Sequence, residues 1–172
     1  MTKFFVFALG VIATVNAHAQ TIHSPNHKLA LTFALSAAGE PTYQLSYGNK
    51  PVLKPSRLGV LVKGQPGFAQ GLTVVRRDSS QHDDTWTPVW GETKTIRNHY
   101  QELAVTLQQA APAGHRVVLR FRVFDDGLGF RYEWPQQPGF TYFVVSGERT
   151  EFNLPADHKA FWIPGDYDSN EY

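Results

Sequence analysis

Residues 119–134, LRFRVFDDGLGFRYEW, decide the fold of this chain. Apolar and polar side chains alternate on both sides of Asp126-Gly127, a dipeptide typical of two-residue β-hairpin turns. With that dipeptide at the tip, the apolar side chains of both strands fall on one face, as a half-buried sheet requires. The predicted pairs on that face are Val123 with Phe130, Phe121 with Tyr132, and Leu119 with Trp134.

The opposite face of this hairpin carries charges. The same pairing sets Arg120 opposite Glu133 and Arg122 opposite Arg131. Like charges directly opposed destabilise a ladder, so the two arginines need either solvent or an acidic partner from elsewhere. We expect Arg122 and Arg131 to reach solvent.

The same alternation recurs along the chain, for example at Leu29–Leu35 and Leu103–Leu107. Turn signals such as Gly48-Asn49 separate these segments, and no long stretch keeps apolar side chains at helical spacing. Many short strands predict an all-β sandwich or barrel of mainly antiparallel strands. Residues 78–92 are predicted to form a long irregular connection.

Composition excludes several classes of partner. The 172 residues carry 16 Lys and Arg against 15 Asp and Glu, with no Cys. A nucleic-acid partner or an anionic membrane surface would favour a basic excess, so neither is expected. A chain of this length buries a sizeable core without disulfide bonds.

The first nineteen residues have the pattern of an export signal. Lys3 precedes an apolar run from Phe4 to Val15, and Ala17-His18-Ala19 resembles a cleavage site. The run is shorter than the roughly 20 residues that span a bilayer, so no membrane span is predicted. We therefore expect residues 1–19 to be a signal peptide, residues 20–172 to be one domain, and the protein to be periplasmic or secreted.

An acidic segment near the C-terminus is the candidate metal site. Asp166, Asp168 and Asn170 alternate and Glu171 follows, so four oxygen-bearing side chains lie within six residues. Such oxygen ligands suit Ca²⁺. The spacing excludes an EF-hand, because Glu171 stands where the sharp turn needs glycine. Spacing alone favours a solvated acidic turn over a metal site.

Trp86 and Trp90 are the candidate substrate-binding residues. Aromatic rings with Asn, His and acidic side chains nearby in the sequence could hold a sugar ring. The alternative, which the residues alone favour, is that both tryptophans fill the core while Arg97 pairs with Glu92 or Glu102. No nucleophile elbow, phosphate loop or zinc-protease motif is present, and no carboxylate pair can be assigned, so no catalytic residue is predicted.

Three segments in order resemble the N-terminal domain of the family-97 glycoside hydrolases, a family of exported α-glucosidases and α-galactosidases. They are Trp86-Thr-Pro-Val-Trp90-Gly-Glu92 with the following residues 96–103, then residues 120–133, then residues 160–172. A weaker similarity covers residues 24–59. The resemblance therefore extends over nearly the whole chain after the signal.

The resemblance implies more than the residue pattern does. Such domains fold as a β-supersandwich similar to galactose mutarotase, and they pack against a catalytic (β/α)₈ barrel. The family holds Ca²⁺ in its active site, with one glutamate from the N-terminal domain, and the matching position here is Glu171. The substrate would be an α-linked oligosaccharide. The resemblance also implies that the sandwich is incomplete at its C-terminus and that the barrel is missing, so we expect no hydrolysis by this chain alone.

Two other functions fit the residues. The chain could be a stand-alone carbohydrate-binding sandwich that stacks sugars on Trp86 or Trp90. It could also be a periplasmic interaction domain without a sugar site. The resemblance favours the glycosidase domain over both.

Overall fold

The computed structural model describes residues 19–159 and 161, and this part of the chain contains only strands and irregular segments. The ten strands are β1 Gln20–His23, β2 Leu29–Leu35, β3 Pro41–Tyr47, β4 Lys50–Arg57, β5 Val60–Val62, β6 Leu72–Trp86, β7 Ile96–Gln109, β8 Arg116–Val123, β9 Leu128–Glu133 and β10 Val145–Glu148. No helix in these residues is long and apolar enough to cross a membrane. The all-β prediction is confirmed.

Two four-stranded antiparallel sheets form the sandwich. The first has the order β1-β2-β3-β4 and the second the order β6-β7-β8-β9, while β5 pairs with β10 separately. Gly48-Asn49 connects β3 to β4 as predicted, with Gly48 in the left-handed region at φ 56°. Neighbouring strands are thus joined mainly by short turns, which suits antiparallel pairing.

The core lies between the two sheets and follows from the alternation. In β2 Leu29, Leu31 and Phe33 are buried, and in β8 the odd-numbered side chains are buried as well. Phe33 and Phe121 meet across the interior with ring centroids 6.0 Å apart. The fully buried large side chains are Tyr43, Phe33, Phe68, Phe121, Leu31, Leu58, Leu103, Leu107, Leu119, Val105, Val117 and Val123.

The hairpin of β8 and β9 has the predicted buried face but a different register. Val123 lies opposite Leu128, Phe121 opposite Phe130 and Leu119 opposite Tyr132, a shift of two residues along β9. A shift of two keeps every side chain on its face, since the side-chain period of a strand is two. The predicted placement of Asp126-Gly127 at the tip is wrong.

One edge of the first sheet is covered by a later segment. Strand β4 contains Pro51 and Pro55, which lack an N–H donor and are therefore tolerated mainly at sheet edges. Residues 149–153 run beside this strand. Lys54 N–H donates to Asn153 O at 2.8 Å, and Glu151 N–H donates to Arg57 O at 2.9 Å. These hydrogen bonds pair some of the backbone N–H and C=O groups that the edge strand β4 would otherwise leave open.

Candidate functional site

The predicted calcium ligand Glu171 lies outside the described residues, together with Asp166, Asp168 and Asn170. Within residues 19–159 and 161, no group of three or more His, Cys, Asp or Glu side chains is arranged to hold a metal ion. The calcium prediction therefore rests on the resemblance alone.

Residues 78–92 are not one irregular connection. Strand β6 continues to Trp86, and it pairs with β7 from Leu72 opposite Gln109 to Trp86 opposite Ile96. Strand β8 pairs with β7 only as far as Gln101. Residues 82–100 therefore extend beyond the third strand as a two-stranded ribbon with an irregular tip, and we call them the arm.

Both candidate tryptophans lie at the distal end of the arm. Trp86 is 52% exposed and Trp90 is 87% exposed. Val89 beside them is 99% exposed. The interpretation that both tryptophans fill the core is therefore wrong. The structure brings the two residues to one end of the arm, where their rings are open to a ligand or a partner.

Side-chain contacts across the arm hold its two strands together. Arg97 donates to both carboxylate oxygens of Asp83 at 2.7 Å, so it pairs with neither of the two predicted glutamates. On the other face, the His82 ring stacks on Tyr100 with centroids 5.0 Å apart, and His82 Nε2 lies 3.0 Å from Asp84. An isolated two-stranded hairpin is only marginally stable, and these contacts stabilise this one.

A charged network covers the outer face of the second sheet. Glu102 is 9% exposed and accepts hydrogen bonds from Arg120 and from Arg122, the latter at 2.8 Å. Arg120 also donates to both oxygens of Glu133, at 2.7 and 2.9 Å. Arg131 donates to the same Glu133 at 2.6 Å. The network is therefore continuous from β7 through β8 to β9.

The structure does not place Arg122 opposite Arg131, as the sequence predicted. Arg131 lies opposite Arg120 rather than Arg122, and the carboxylate of Glu133 bridges the two. Arg122 lies opposite Gly129 and reaches Glu102 on β7. The two side chains keep the expected contact with solvent, at 63% exposure for Arg131 and 39% for Arg122, and acidic partners, one of them from a third strand, pair with them as well.

The network lowers the pKa values of its carboxyl groups. Hydrogen bonds from Arg120 lower the pKa of Glu133 to about 2, with a further hydrogen bond from Arg131. Burial raises the pKa of Glu102, but the hydrogen bonds from Arg122 and Arg120 outweigh burial, so that pKa also lies below its ordinary value. Both groups are ionised at neutral pH.

We expect the network to make the free energy of unfolding depend on pH in the acid range. Because the pKa of Glu133 is about 2 in the folded chain against an ordinary value of 4.5, its stabilisation is complete above pH 4.5 and is lost as the pH falls toward 2. The variant Glu133→Gln binds no proton there, so its urea midpoint should fall less between pH 5 and pH 3.

The matched control is Glu92→Gln on the arm. Among the described residues, the Glu92 carboxylate has no ion-pair partner, so this variant should keep the acid dependence of the parent chain. If the urea midpoint fell equally between pH 5 and pH 3 in both variants, the network would not couple folding to protonation.

A cleft of about 610 Å³ lies at the other end of the β6–β7 hairpin. Its walls are mostly small and apolar, and Arg57 and Arg149 are among the residues that line it. Gln109, 5% exposed, donates to the carbonyl oxygens of Pro66 and Gly67 and closes part of it. The described lining contains no aromatic ring on which a sugar could stack.

The complete network, the arm and the cleft were not predictable from the sequence pattern. The charges of Arg120 and Glu133 were visible, but Glu102 joins them only because β7 lies beside β8. The arm could be recognised only from the relative lengths of three strands. Alternation predicted the strands themselves but not these lengths.

The geometry defines an antiparallel β-sandwich with an exposed aromatic arm, and its described residues show no assembled catalytic constellation. Residues 22–172 match the family described as Glycosyl-hydrolase 97 N-terminal. The chain therefore belongs to the N-terminal domain family of the family-97 glycoside hydrolases, as the resemblance predicted.

Similar proteins are several times longer than this chain. A probable retaining alpha-galactosidase of Streptomyces bingchenggensis is 29% identical over 165 residues, which is 92% of this chain and 25% of that protein. A family-97 enzyme of Pseudoalteromonas sp. strain K8 is 30% identical with a TM-score of 0.74, over 79% of this chain and 20% of the enzyme. It has been solved with acarbose and, as a variant, with panose.

A further similar structure is a beta-arabinopyranosidase, 25% identical with a TM-score of 0.72 over 79% of this chain and 21% of that one. The named activities and ligands thus differ among proteins that share this sandwich. The chain spans about a quarter or less of each of these relatives.

Proposed function

We propose that this chain is the N-terminal domain of an exported α-glycosidase that hydrolyses α-glucosidic or α-galactosidic bonds in oligosaccharides. The observation that carries the proposal is the match of residues 22–172 to an N-terminal glycoside-hydrolase family. The relatives add support, since one is a probable alpha-galactosidase and another binds panose. Residues 1–19 would direct the protein to the periplasm or the exterior, with residues 20–172 as the domain.

In this proposal the domain has a supporting role. It braces the catalytic barrel, forms one wall of the sugar pocket and donates Glu171 to a calcium ion. One carboxylate is far short of the six to eight oxygen ligands of calcium, so the other ligands would come from the barrel. When bound, the ion would supply positive charge to the active site.

A chimeric enzyme tests this function. Residues 22–172 would replace the matching segment of the Pseudoalteromonas enzyme, and hydrolysis of panose would be measured. We expect the chimera to retain activity within about tenfold of the parent enzyme and an enzyme without the segment to be inactive. A folded chimera with no more activity than the deleted enzyme would contradict the proposal.

The variant Glu171→Gln in the same chimera tests the metal role. Loss of one anionic ligand should weaken calcium binding at least tenfold and reduce activity at low calcium, with partial recovery at high calcium. Calcium titration of activity and of the thermal midpoint measures both. Asp168→Asn is the matched control and should leave calcium affinity unchanged. Equal behaviour of the two variants would remove the assignment of Glu171.

A second candidate function is a stand-alone sugar-binding module. The exposure of Trp86 and Trp90 favours it, because a stacking platform must be open to its ligand. Titration of the chain with maltooligosaccharides would then quench tryptophan fluorescence. Unchanged fluorescence would exclude this function.

A further inference from the structure

The arm is longer than the sheet that supports it. Strand β6 has 15 residues and β7 has 14, whereas β8 has 8. Among the strands that the structure describes, β6 and β7 pair only with each other beyond Gln101. A ribbon of this kind buries little apolar surface of its own, so the fold of this domain alone gives no reason for its length.

The distal end of the arm carries three large apolar side chains that the described residues leave exposed. Trp86, Val89 and Trp90 are exposed by 52%, 99% and 87%. Clustered exposed apolar side chains of this size mark contact surfaces rather than ordinary surface positions. Tryptophan is also one of the residue types enriched among the side chains that dominate protein interfaces.

The base of the arm is held by contacts with β8 and with the turn that follows it, and by an ion pair of its own. Arg122 lies over the Tyr100 ring, with its Cζ 4.6 Å from the centroid, and Tyr100 also packs on Phe124 at 5.2 Å. The pairing of Asp83 with Arg97 holds the opposite face. Binding through a rigid element loses less conformational entropy than binding through a flexible loop. The arm is therefore preorganised to present its tryptophans.

We infer that the arm is the element by which this domain docks on the catalytic domain of its glycosidase, with Trp86, Val89 and Trp90 seated on an apolar surface of that domain. This inference rests on the proposed function. The occupant follows from length, because the solved relatives carry about four-fifths of their polypeptide outside the part that matches this chain. A domain of that size is large enough to cover the arm. The cleft is not part of this contact surface, because it lies at the opposite end of the β6–β7 hairpin.

The test compares hydrogen exchange of residues 86–96 in the chimeric enzyme and in the isolated chain. Docking should slow exchange of these amides at least tenfold in the chimera. Unchanged exchange overturns the inference even where the chimera hydrolyses panose. Slowed exchange in an inactive chimera supports docking and contradicts the proposed function, so the two failures are distinguishable.

Substitutions give a second readout. The double variant Trp86→Ser with Trp90→Ser should lower the thermal midpoint of the chimera by about 5 °C or more, because two large apolar side chains then lose their contact with the catalytic domain. The isolated chain should keep its midpoint, since both rings are exposed there. The control pair is Tyr142→Ser with Val144→Ser, exposed by 94% and 62%. Equal effects of the two pairs would overturn the inference.

Two other occupants have recognisable signatures. If a second copy of the chain covers the arm, the isolated chain will dimerise in sedimentation experiments and the tryptophan variant will remain monomeric. If a sugar covers it, maltooligosaccharides will quench the tryptophan fluorescence of the isolated chain. Either result overturns docking on the catalytic domain.

Discussion

Replacing Phe121 by alanine should lower the free energy of unfolding by about 3–5 kcal/mol, the usual range for a fully buried phenylalanine. Phe121 is 0% exposed, and its ring lies 6.0 Å from Phe33 and 5.9 Å from Phe130 between centroids. It therefore contacts β2 of the first sheet and β9 of its own sheet at once. The cavity would open at the centre of the sandwich, where neither sheet can move in to fill it.

Phe152→Ala is the matched control for this variant, because it removes the same ring from the same cluster. Phe152 contacts Tyr43 and Phe130 at 6.4 and 6.2 Å but remains 62% exposed. Its loss should cost less, about 1–2 kcal/mol, because the ring is mostly exposed and each of its two aromatic pairs contributes about 0.5–1.5 kcal/mol. Urea unfolding followed by fluorescence measures both variants. Similar losses would mean that Phe121 does not occupy the centre of the core.

The hairpin shows what alternation predicts and what it leaves open. The buried face of Leu119, Phe121 and Val123 was predictable, because a strand period of two survives a two-residue slip. The register was not, because it depends on the turn. Asp125 accepts a hydrogen bond from Asn26 N–H at 2.8 Å, a contact between residues far apart in sequence. Gly127 is not in the left-handed region that the predicted turn requires.

The sequence predicted which residues belong to the candidate sites but not how the fold arranges them. Trp86 and Trp90 were recognisable as a pair, but their exposure depends on β8 ending before β6 and β7 do. No local pattern encodes that difference in length. Glu171 was reached through the resemblance, since its spacing alone favours a solvated turn. The pair of Arg120 and Glu133 in the ionic network was predictable from the hairpin. The part played by Glu102 was not, because Glu102 comes from β7, outside the hairpin.

Gly39→Ala should destabilise the chain by about 1–3 kcal/mol more than the same change at Gly48, because only Gly39 has backbone packed against it. A Cβ at Gly39 would lie 2.4 Å from the N and 2.6 Å from the O of Leu72. Gly39 connects the two sheets here, since its carbonyl accepts the Leu72 N–H at 3.1 Å and Ala38 O accepts the Gly71 N–H at 2.9 Å. The clash would push the β2–β3 turn away from the start of β6.

Gly48→Ala is the control that separates the destabilisation caused by the steric clash from the destabilisation caused by the backbone angle. Its φ of 56° is close to the 72° of Gly39, but no atom lies within 4 Å of the position of its Cβ. Gly48→Ala should therefore cost only the about 1–2 kcal/mol of a left-handed residue with a side chain. Urea unfolding gives both losses, and hydrogen exchange at the Leu72 amide should accelerate only in the Gly39 variant. Equal losses, with Leu72 still protected, would mean that the backbone angle sets the cost at both glycines and that the turn absorbs the extra methyl group without loosening the contact between the sheets.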